Sequence, residues 1–287
     1  MFSLFKTTPA SLVKQLRDLP PAPKVLHKLQ RLMADPRMTM AAIADVIAME
    51  PGLSARVVQV ANSSHFNRGA KVETAMEGIQ RVGLKGVQEL VTFAVASQLV
   101  GRPLAAYGLG AQTLWSRAVA CALAAGNLAE RSGAADYDVA YTAGLMHGLG
   151  LLVLDRHVAH QKKPRVFPSS GYPLDFAPAE REWLGFSHAE VGATLLELWG
   201  FAAPVVAAVK FQLDPEAAPA EHRALCMTLA TARWARSLFC VPDEVIPELP
   251  SETWLTEAGM PVGDFGEWLS RVRMRYTIAC EELRLGA

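Results

Sequence analysis

Apolar residues recur along almost the whole chain at the spacing of an amphipathic α-helix. Between residues 25 and 33 they fall at i, i+3, i+4 and i+7, as Val25, Leu26, Leu29, Leu32 and Met33. No segment of useful length alternates apolar and polar residues as a half-buried strand does. The pattern therefore predicts an all-α fold, a multi-helix bundle.

Capping signals indicate where several of these helices begin and end. Ser187 precedes Glu190 by three residues, which is a capping box, and Thr74 and Glu77 repeat that spacing. A long alanine-rich helix is predicted over 111–132, with Gly133 as its stop. Residues 101–110 have the composition of a linker, and we expect the proline-containing segments 164–178 and 242–261 to be loops.

The charge balance bears on the class of partner. The 287 residues contain 28 Lys and Arg against 28 Asp and Glu, so the formal net charge is zero. A protein that relies on neutralising phosphates usually has a clear basic excess. We therefore expect no nucleic-acid partner.

Cysteine usage and hydropathy indicate the compartment. The four cysteines form no C-x-x-C pair and lie in apolar helical stretches, which predicts buried free thiols in a reducing environment. Residues 1–10 lack the apolar core of a signal peptide. The longest uncharged apolar run, 139–154, is shorter than the roughly 20 residues that span a bilayer. We expect a cytoplasmic protein with no membrane partner.

Two groups of motifs carry a family resemblance. The first comprises residues 19–23 (LPPAP), 49–56 (MEPGLSAR) and 60–66 (VANSSHF). The second comprises residues 114–117 (LWSR), 143–150 (AGLMHGLG) and 185–192 (GFSHAEVG). Together they resemble the HDOD domain, a bacterial signalling domain related to the HD metal phosphohydrolases.

The resemblance predicts how the chain is organised. It covers 12–215, with an N-terminal helical subdomain over about 12–100 packed closely against an HD-like helical part over 111–215. Residues 216–287 are expected to add helices that complete or extend the fold. The family also implies an adaptor role without catalysis or cofactor. Its partners would be regulatory or signalling proteins, such as those of cyclic-dinucleotide signalling.

The residues at the HD metal-site positions argue against a retained metal centre. His147 is followed by Gly148 where an HD enzyme has the Asp. The position of the ligand His on the first helix of HD enzymes corresponds to about Arg117 in this chain. The position of their late His pair corresponds to Gln212 and Leu213. Two imidazoles, His147 and His188, without a carboxylate make a poor site for the ions that HD enzymes use. We therefore assign no catalytic residue and no metal ligand. The degenerate pocket would hold the following candidates: His147, His188, Arg117, Gln212 and Asp214.

Several of these residues also have a purely structural interpretation. We expect His147, on a helix, to be a core histidine hydrogen-bonded to a neighbour, and His188 to be half-exposed in a first helical turn. Gly144, Gly148 and Gly150 would allow close helix packing.

A separate family signature offers a candidate partner surface. It consists of Asn62, Ser63 and Phe66 near the end of one predicted helix. Asn62 is expected to satisfy backbone groups at that helix end. The polar pair beside an aromatic residue is nevertheless a reasonable place for a partner protein to bind.

Three functions are compatible with these observations. The first is a non-catalytic signalling scaffold that acts through protein–protein contacts. The second is a divergent metal-dependent phosphohydrolase of nucleotides or cyclic dinucleotides, which would need His147, His188 and Asp214 as ligands. The third is a sensor that binds a small anionic ligand in the degenerate pocket, where Arg117 would supply positive charge and fork geometry.

Overall fold

The computed structural model describes residues 7–15, 29, 32, 35, 37–49, 51–62, 69–83, 103–159, 167, 175–239 and 250–283. Its helices are α1 (Pro9–Gln15), α2 (Met40–Ala48), α3 (Pro51–Ala61), α4 (75–83), α5 (Ala111–Ser132), α6 (Tyr137–Met146), α7 (Leu149–Ala159), α8 (Ala177–Leu184), α9 (His188–Leu198), α10 (Ala203–Phe211), α11 (Ala220–Phe239), α12 (Glu252–Glu257) and α13 (Phe265–Leu283). Short 3-10 turns cover Ala105–Tyr107, Pro215–Ala217 and Val262–Asp264. The described part of the chain has no β-strand, and the all-α prediction is confirmed.

The chain divides into two compact units. The first contains residues 1–19 and 102–272, and the second contains residues 20–101 and 273–287. The division falls within α13, so that helix contributes residues to each unit. The candidate pocket residues named above belong to the first unit, and the candidate partner surface belongs to the second.

The core of the first unit forms around α5, which packs against α6 and α11. Most of α5 is buried, and it ends where Gly133 adopts a left-handed φ of 65°, so the predicted bounds are confirmed. The approach of α6 to α5 is close at Gly144. A Cβ atom there would lie 2.7 Å from the carbonyl oxygen of Cys121. A glycine is needed at this crossing because any side chain would overlap the α5 backbone.

The capping prediction for α9 is also confirmed. The Ser187 backbone N–H donates to the Glu190 carboxylate at 2.8 Å, and both halves of the capping box are present. Thr39 caps α2 by accepting a hydrogen bond from the Ala42 backbone N–H. Thr74 accepts from the Glu77 N–H, whereas the Glu77 carboxylate binds the N–H of Glu73, one residue before the expected cap.

Helix α12 lies where a loop was expected, and that prediction is wrong. Helix α8 overlaps the other expected loop only at its last two residues, 177 and 178. Helix α8 begins at Ala177, inside the segment 164–178, with Pro178 in its first turn. A proline is tolerated there because the first N–H groups of a helix have no intrahelical partner. Helix α12 lies inside the segment 242–261, and Ser251 caps it by accepting from the Trp254 N–H.

Hydropathy and cysteine burial agree with a packed helical interior. One stretch, 137–159, is long and apolar enough to cross a membrane, but 78% of its most apolar window is buried within the protein, which is typical of a core helix. Cys121 and Cys226 are buried and form no disulfide, as expected, whereas Cys280 is only half-buried. Cys240 lies outside the described residues.

Candidate functional site

His147 lies at the junction of two helices. Helix α6 ends at Met146, His147 is its C-terminal cap, and α7 begins at Leu149. His147 thus lies at the end of a helix and keeps helical backbone angles, with φ −57° and ψ −27°. The imidazole is buried, and its Nδ1 lies 2.5 Å from the Gly144 carbonyl oxygen. The expectation of a buried, hydrogen-bonded core histidine is confirmed.

The second ring nitrogen of His147 is also engaged. Nη1 of Arg236, in α11, lies 2.5 Å from Nε2 of His147. Because a carbonyl can only accept, the Nδ1 atom carries the proton and donates to Gly144, and Nε2 accepts from the guanidinium. Both nitrogens that could ligate a metal ion are thus occupied by protein groups.

The charges around His147 favour its neutral form. Burial is the largest cause that lowers the pKa of His147 well below its ordinary value, and the positive charges of Arg236, Arg233 and Arg117 lower it further. The hydrogen bond to Gly144 opposes this shift but does not outweigh it. Arg117 and Arg236 are only 3% and 4% exposed, so solvent screens their charges little.

Gln212 connects this arginine group to the helix junction. It is fully buried at the end of α10, where its Nε2 donates to the His147 carbonyl at 3.0 Å and to the Val209 carbonyl at 2.9 Å. The backbone carbonyl of Gln212 accepts a hydrogen bond from Arg233 Nη1. The structure therefore brings His147, Arg117 and Gln212 into one polar site, together with Arg233 and Arg236. We call these five residues the arginine site.

His188 forms a neighbouring site with a buried carboxylate. It is 5% exposed, so the expectation of a half-exposed side chain is wrong. Its Nδ1 lies 2.8 Å from Oε2 of Glu180, and its backbone N–H donates to the same oxygen at 2.7 Å. The Tyr107 hydroxyl donates to the other oxygen of Glu180 at 2.8 Å. His188 can be buried because Glu180 of α8 supplies a buried carboxylate that binds it.

The carboxyl group of Glu180 is held as an anion. Burial acts to raise its pKa, but the electrostatic interaction with His188 and the hydrogen bonds from His188 and Tyr107 outweigh burial, and the pKa lies below its ordinary value. Burial and the nearby Glu180 charge raise the pKa of Tyr107 well above its ordinary value, so its hydroxyl remains a donor. The carboxylate also lies at the N-terminus of α9, where the helix dipole favours negative charge.

Asp214 differs from the other pocket candidates in its exposure. It lies at the start of the 3-10 turn Pro215–Ala217 and faces solvent, whereas Gln212 two residues earlier is fully buried. Its membership of the pocket stays a prediction. Gly148 adds no side chain, and a Cβ atom there would meet only ordinary contacts, the nearest being Leu114 at 3.7 Å.

The candidate partner surface is described only at Asn62. Its Nδ2 donates to the Val72 carbonyl at 2.8 Å, and its Oδ1 accepts from the Val72 N–H at 2.8 Å. These bonds confirm that Asn62 satisfies backbone groups just after α3. Ser63 and Phe66 lie outside the described residues.

The donor set of the arginine site does not fit a metal ion. Both His147 nitrogens bind protein groups, and three guanidinium groups act on the same region with a charge that repels cations. Among the residues described, no three His, Cys, Asp or Glu side chains are grouped so that they could hold a metal. The chemistry of this site suits an anion better than a cation.

Four residues of these two sites were not found from the sequence: Tyr107, Glu180, Arg233 and Arg236. The sequence feature that could have indicated burial of the two arginines is the apolar character of α11. This helix is buried on most faces from Leu225 to Ser237. A helix that is hydrophobic all round lies in a core, so its charged residues are buried with it. Glu180 was missed because residues 179–186, between the expected loop and the capping box at Ser187, were assigned to no element.

Solved structures resemble the chain over nearly its whole length. A protein from Shewanella amazonensis SB2B, provisionally named a phosphohydrolase, is 23% identical with a TM-score of 0.70, and the match covers 96% of this chain and 97% of that one. A protein from Marinobacter aquaeolei VT8, provisionally named a signal transduction protein, is 23% identical with a TM-score of 0.70. That match covers 94% of this chain and 60% of that one. At these identities the likeness establishes the fold alone.

Sequence comparison identifies the family. An uncharacterized protein of Treponema pallidum (strain Nichols) is 28% identical over 233 residues, which are 78% of this chain. The chain spans less than half of that relative, since the match covers 43% of it. The model of the HDOD domain matches residues 19–215, which is more than half of the chain. With its all-helical fold, the chain belongs to the HDOD domain family.

Proposed function

We propose that this HDOD protein is a non-catalytic signal-transduction scaffold of the bacterial cytoplasm that acts through protein–protein contacts. The observation that carries the proposal is the hydrogen bond from Arg236 to Nε2 of His147. It occupies the histidine nitrogen that a metal-dependent phosphohydrolase would need, and it does so with a positive charge.

A metal ion would have to overcome several costs to bind at His147. The Arg236 guanidinium would have to withdraw from Nε2 within a buried region, where charges interact more strongly than in water. Arg117 and Arg233 would still repel the cation after that movement. Gly148 would supply no carboxylate oxygen to offset the repulsion.

His188, the other histidine at an HD metal-site position, binds a different partner. His188 binds Glu180 through both its ring and its backbone N–H. A metal-ligating histidine often binds a carboxylate through its second nitrogen, so this pair alone does not exclude a ligand role. The divergent phosphohydrolase hypothesis would need His188, His147 and the exposed Asp214 to converge on one ion.

A turnover assay distinguishes the scaffold from the enzyme. The purified chain is incubated with Mn²⁺ and with a panel of cyclic dinucleotides and nucleotides, and products are separated by chromatography. The scaffold proposal predicts no product above the level of a His147→Ala variant. Turnover that His147→Ala abolishes and His222→Ala on α11 retains would contradict it.

The partner of the scaffold is proposed to be a regulatory or signalling protein, such as one that makes or degrades cyclic dinucleotides. Its contact surface would include Ser63 and Phe66. Affinity purification with cross-linking compares wild type, Phe66→Asp and Met49→Asp, since Met49 is an exposed apolar residue of the same unit. The proposal expects one regulatory protein to be recovered with wild type and Met49→Asp but lost with Phe66→Asp. Equal recovery with all three would contradict this surface.

A further inference from the structure

Helix α13 has two apolar stripes, one buried and one exposed. The buried stripe consists of Phe265, Trp268, Val272, Tyr276 and Ala279. The exposed stripe contains Met274 and Ile278, which are four residues apart and therefore adjacent on one face of the helix. These two side chains are 60% and 43% exposed. Large apolar side chains that lie side by side on a surface, rather than singly, are typical of a contact site.

Charged residues extend the exposed stripe at both ends. Arg271 lies three residues before Met274, and its side chain is 53% exposed. Glu281 lies three residues after Ile278, in the last turn of α13. The positions 271, 274, 278 and 281 follow the alternating spacing of three and four residues by which helices pack side by side. The stripe thus runs from an arginine through two apolar residues to a glutamate.

The order of residues along this stripe is complementary to its own reverse. When a second copy of α13 lies antiparallel, with its Ile278 against Met274 of the first, its Glu281 comes opposite Arg271. A two-fold axis repeats both contacts, so one interface covers the Met274 and Ile278 side chains of both copies. A parallel copy would instead place like charges opposite each other, where they repel. The pattern therefore favours an antiparallel second copy.

The last turn of α13 gives independent support for a partner with positive charge. It contains Glu281 and Glu282 but no basic residue. Negative charges are unfavourable there, because the C-terminal end of a helix carries the negative pole of the helix dipole. An arginine from a second copy would offset this cost.

Arg271 can make such a contact without leaving an acid unpaired. It donates to Oε1 of Glu267 at 2.9 Å, one turn earlier on the helix. Both side chains of this ion pair are more than half exposed, and exposed pairs contribute little to stability. Glu267 also accepts a hydrogen bond from Arg131, so it would remain paired if Arg271 turned to another carboxylate.

We propose that α13 is the contact surface of a homodimer, in which two copies of this helix pair antiparallel about a two-fold axis. Met274 of each copy packs against Ile278 of the other, and Arg271 of each copy pairs with Glu281 of the other. One helix pair is small beside the roughly 1,600 Å² of a standard interface, and Arg275 of both copies lies beside the axis, so the dimer is weak and concentration-dependent. The inference goes beyond the proposed function, and neither depends on the other.

Sedimentation velocity of the full chain, over about a hundredfold range of concentration into the high micromolar range, tests the inference. We expect wild type to pass from monomer to dimer. Met274→Asp and Ile278→Asp should each weaken association about tenfold or more, because a carboxylate would be buried against apolar side chains. Val262→Asp is the matched control, since Val262 is 55% exposed and lies before α13, outside the stripe. It should associate as wild type does.

Exchange of the charged residues tests the antiparallel arrangement. Arg271→Glu and Glu281→Arg should each associate several-fold more weakly than wild type, because each homodimer would bring like charges together. An equimolar mixture of the two variants should form a heterodimer with about the affinity of the wild-type dimer, since each facing pair is again opposite in charge. Such recovery requires contacts between copies, so a change within one chain cannot produce it.

The inference is overturned if wild type remains monomeric at the highest concentration, or if it forms a dimer that neither Met274→Asp nor Ile278→Asp weakens. A mixture of Arg271→Glu and Glu281→Arg that associates no better than either variant alone would overturn the antiparallel pairing. Circular dichroism and urea unfolding verify that each variant keeps the wild-type fold. The turnover and metal measurements test the scaffold proposal separately, so failure of the one is distinguishable from failure of the other.

Discussion

Gly150 of α7 lies directly against the backbone carbonyl of His188 at the start of α9. A methyl group on Gly150 would overlap that carbonyl, and it would also lie 2.8 Å from the Gly192 nitrogen. This contact fixes the distance between the junction that carries His147 and the helix that carries His188. We predict that Gly150→Ala lowers the free energy of unfolding by at least about 3 kcal/mol, the upper range for overpacking, because backbone cannot move aside as a side chain can.

Gly148→Ala is the control for that substitution, and urea denaturation measures both. A Cβ atom at position 148 meets only the ends of Leu114 and Leu151, at 3.7 and 4.0 Å. We expect a change within about 1 kcal/mol, since alanine at a compatible position also reduces the entropy of the unfolded chain. Equal destabilisation by the two substitutions would contradict the packing account.

Removal of the buried carboxylate of Glu180 should destabilise the protein strongly. Glu180→Ala leaves the donors of His188 and Tyr107 without their acceptor, and we expect a loss of about 3–5 kcal/mol in the free energy of unfolding. Glu180→Gln keeps an acceptor oxygen and should cost about 1–3 kcal/mol. Glu182→Ala, exposed on the same helix, should change stability by less than about 0.5 kcal/mol.

The neutral state of His147 predicts a pH dependence of stability. Its pKa in the folded protein lies well below the ordinary value of 6.5. Below pH 6.5 the unfolded chain therefore binds a proton that the folded protein does not, and stability falls as the pH falls. The slope contributed by one such group approaches about 1.4 kcal/mol per pH unit.

Urea denaturation between pH 7.5 and 5.5 measures that slope. His147→Gln should flatten it by roughly 1 kcal/mol per pH unit. The lowered pKa of Glu180 contributes in a separate window, because a carboxylate with a depressed pKa loses its stabilising effect only as the pH falls below about 4.5. A slope that His147→Gln leaves unchanged would show that His147 is not the group responsible.

Much of the fold could be predicted from the sequence because helical periodicity and capping are local. The bounds of α5 followed from apolar spacing and from Gly133, and the start of α9 followed from Ser187 and Glu190. Helix α8 was missed because Pro178 indicates a loop unless it is known to occupy a first turn. Helix α12 is only six residues long, too short for its periodicity to be distinctive.

The site was less predictable because it depends on tertiary burial. His147, Arg117 and Gln212 could be named from the spacing of family motifs, but Arg236 comes from a helix 89 residues further along the chain. Arginine is mostly exposed in proteins, so the burial of Arg236 beside His147 could not be expected from its residue type. His188 was expected to be half-exposed for the same reason, because Glu180 had been assigned to no helix.

Restoring the missing carboxylate should not restore a metal site. Gly148→Asp places a His-Asp pair at the junction, where an added Cβ atom meets only ordinary contacts. We predict that the variant still binds no Mn²⁺ in equilibrium dialysis, because Arg236 continues to hold Nε2 of His147 and the arginine charges continue to repel the ion. Stoichiometric Mn²⁺ binding by this variant would show that the lost Asp, rather than the arginines, disables the site.

The central claim is that the HD-like site of this protein has no catalytic metal. Elemental analysis of the purified chain, after incubation with Mn²⁺, Fe²⁺, Ni²⁺ and Zn²⁺ and desalting, tests it most directly. The account predicts far less than one equivalent of any of these metals in a protein that remains folded. One or two equivalents, lost in the His147→Ala, His188→Ala double variant and retained in His222→Ala, would contradict it.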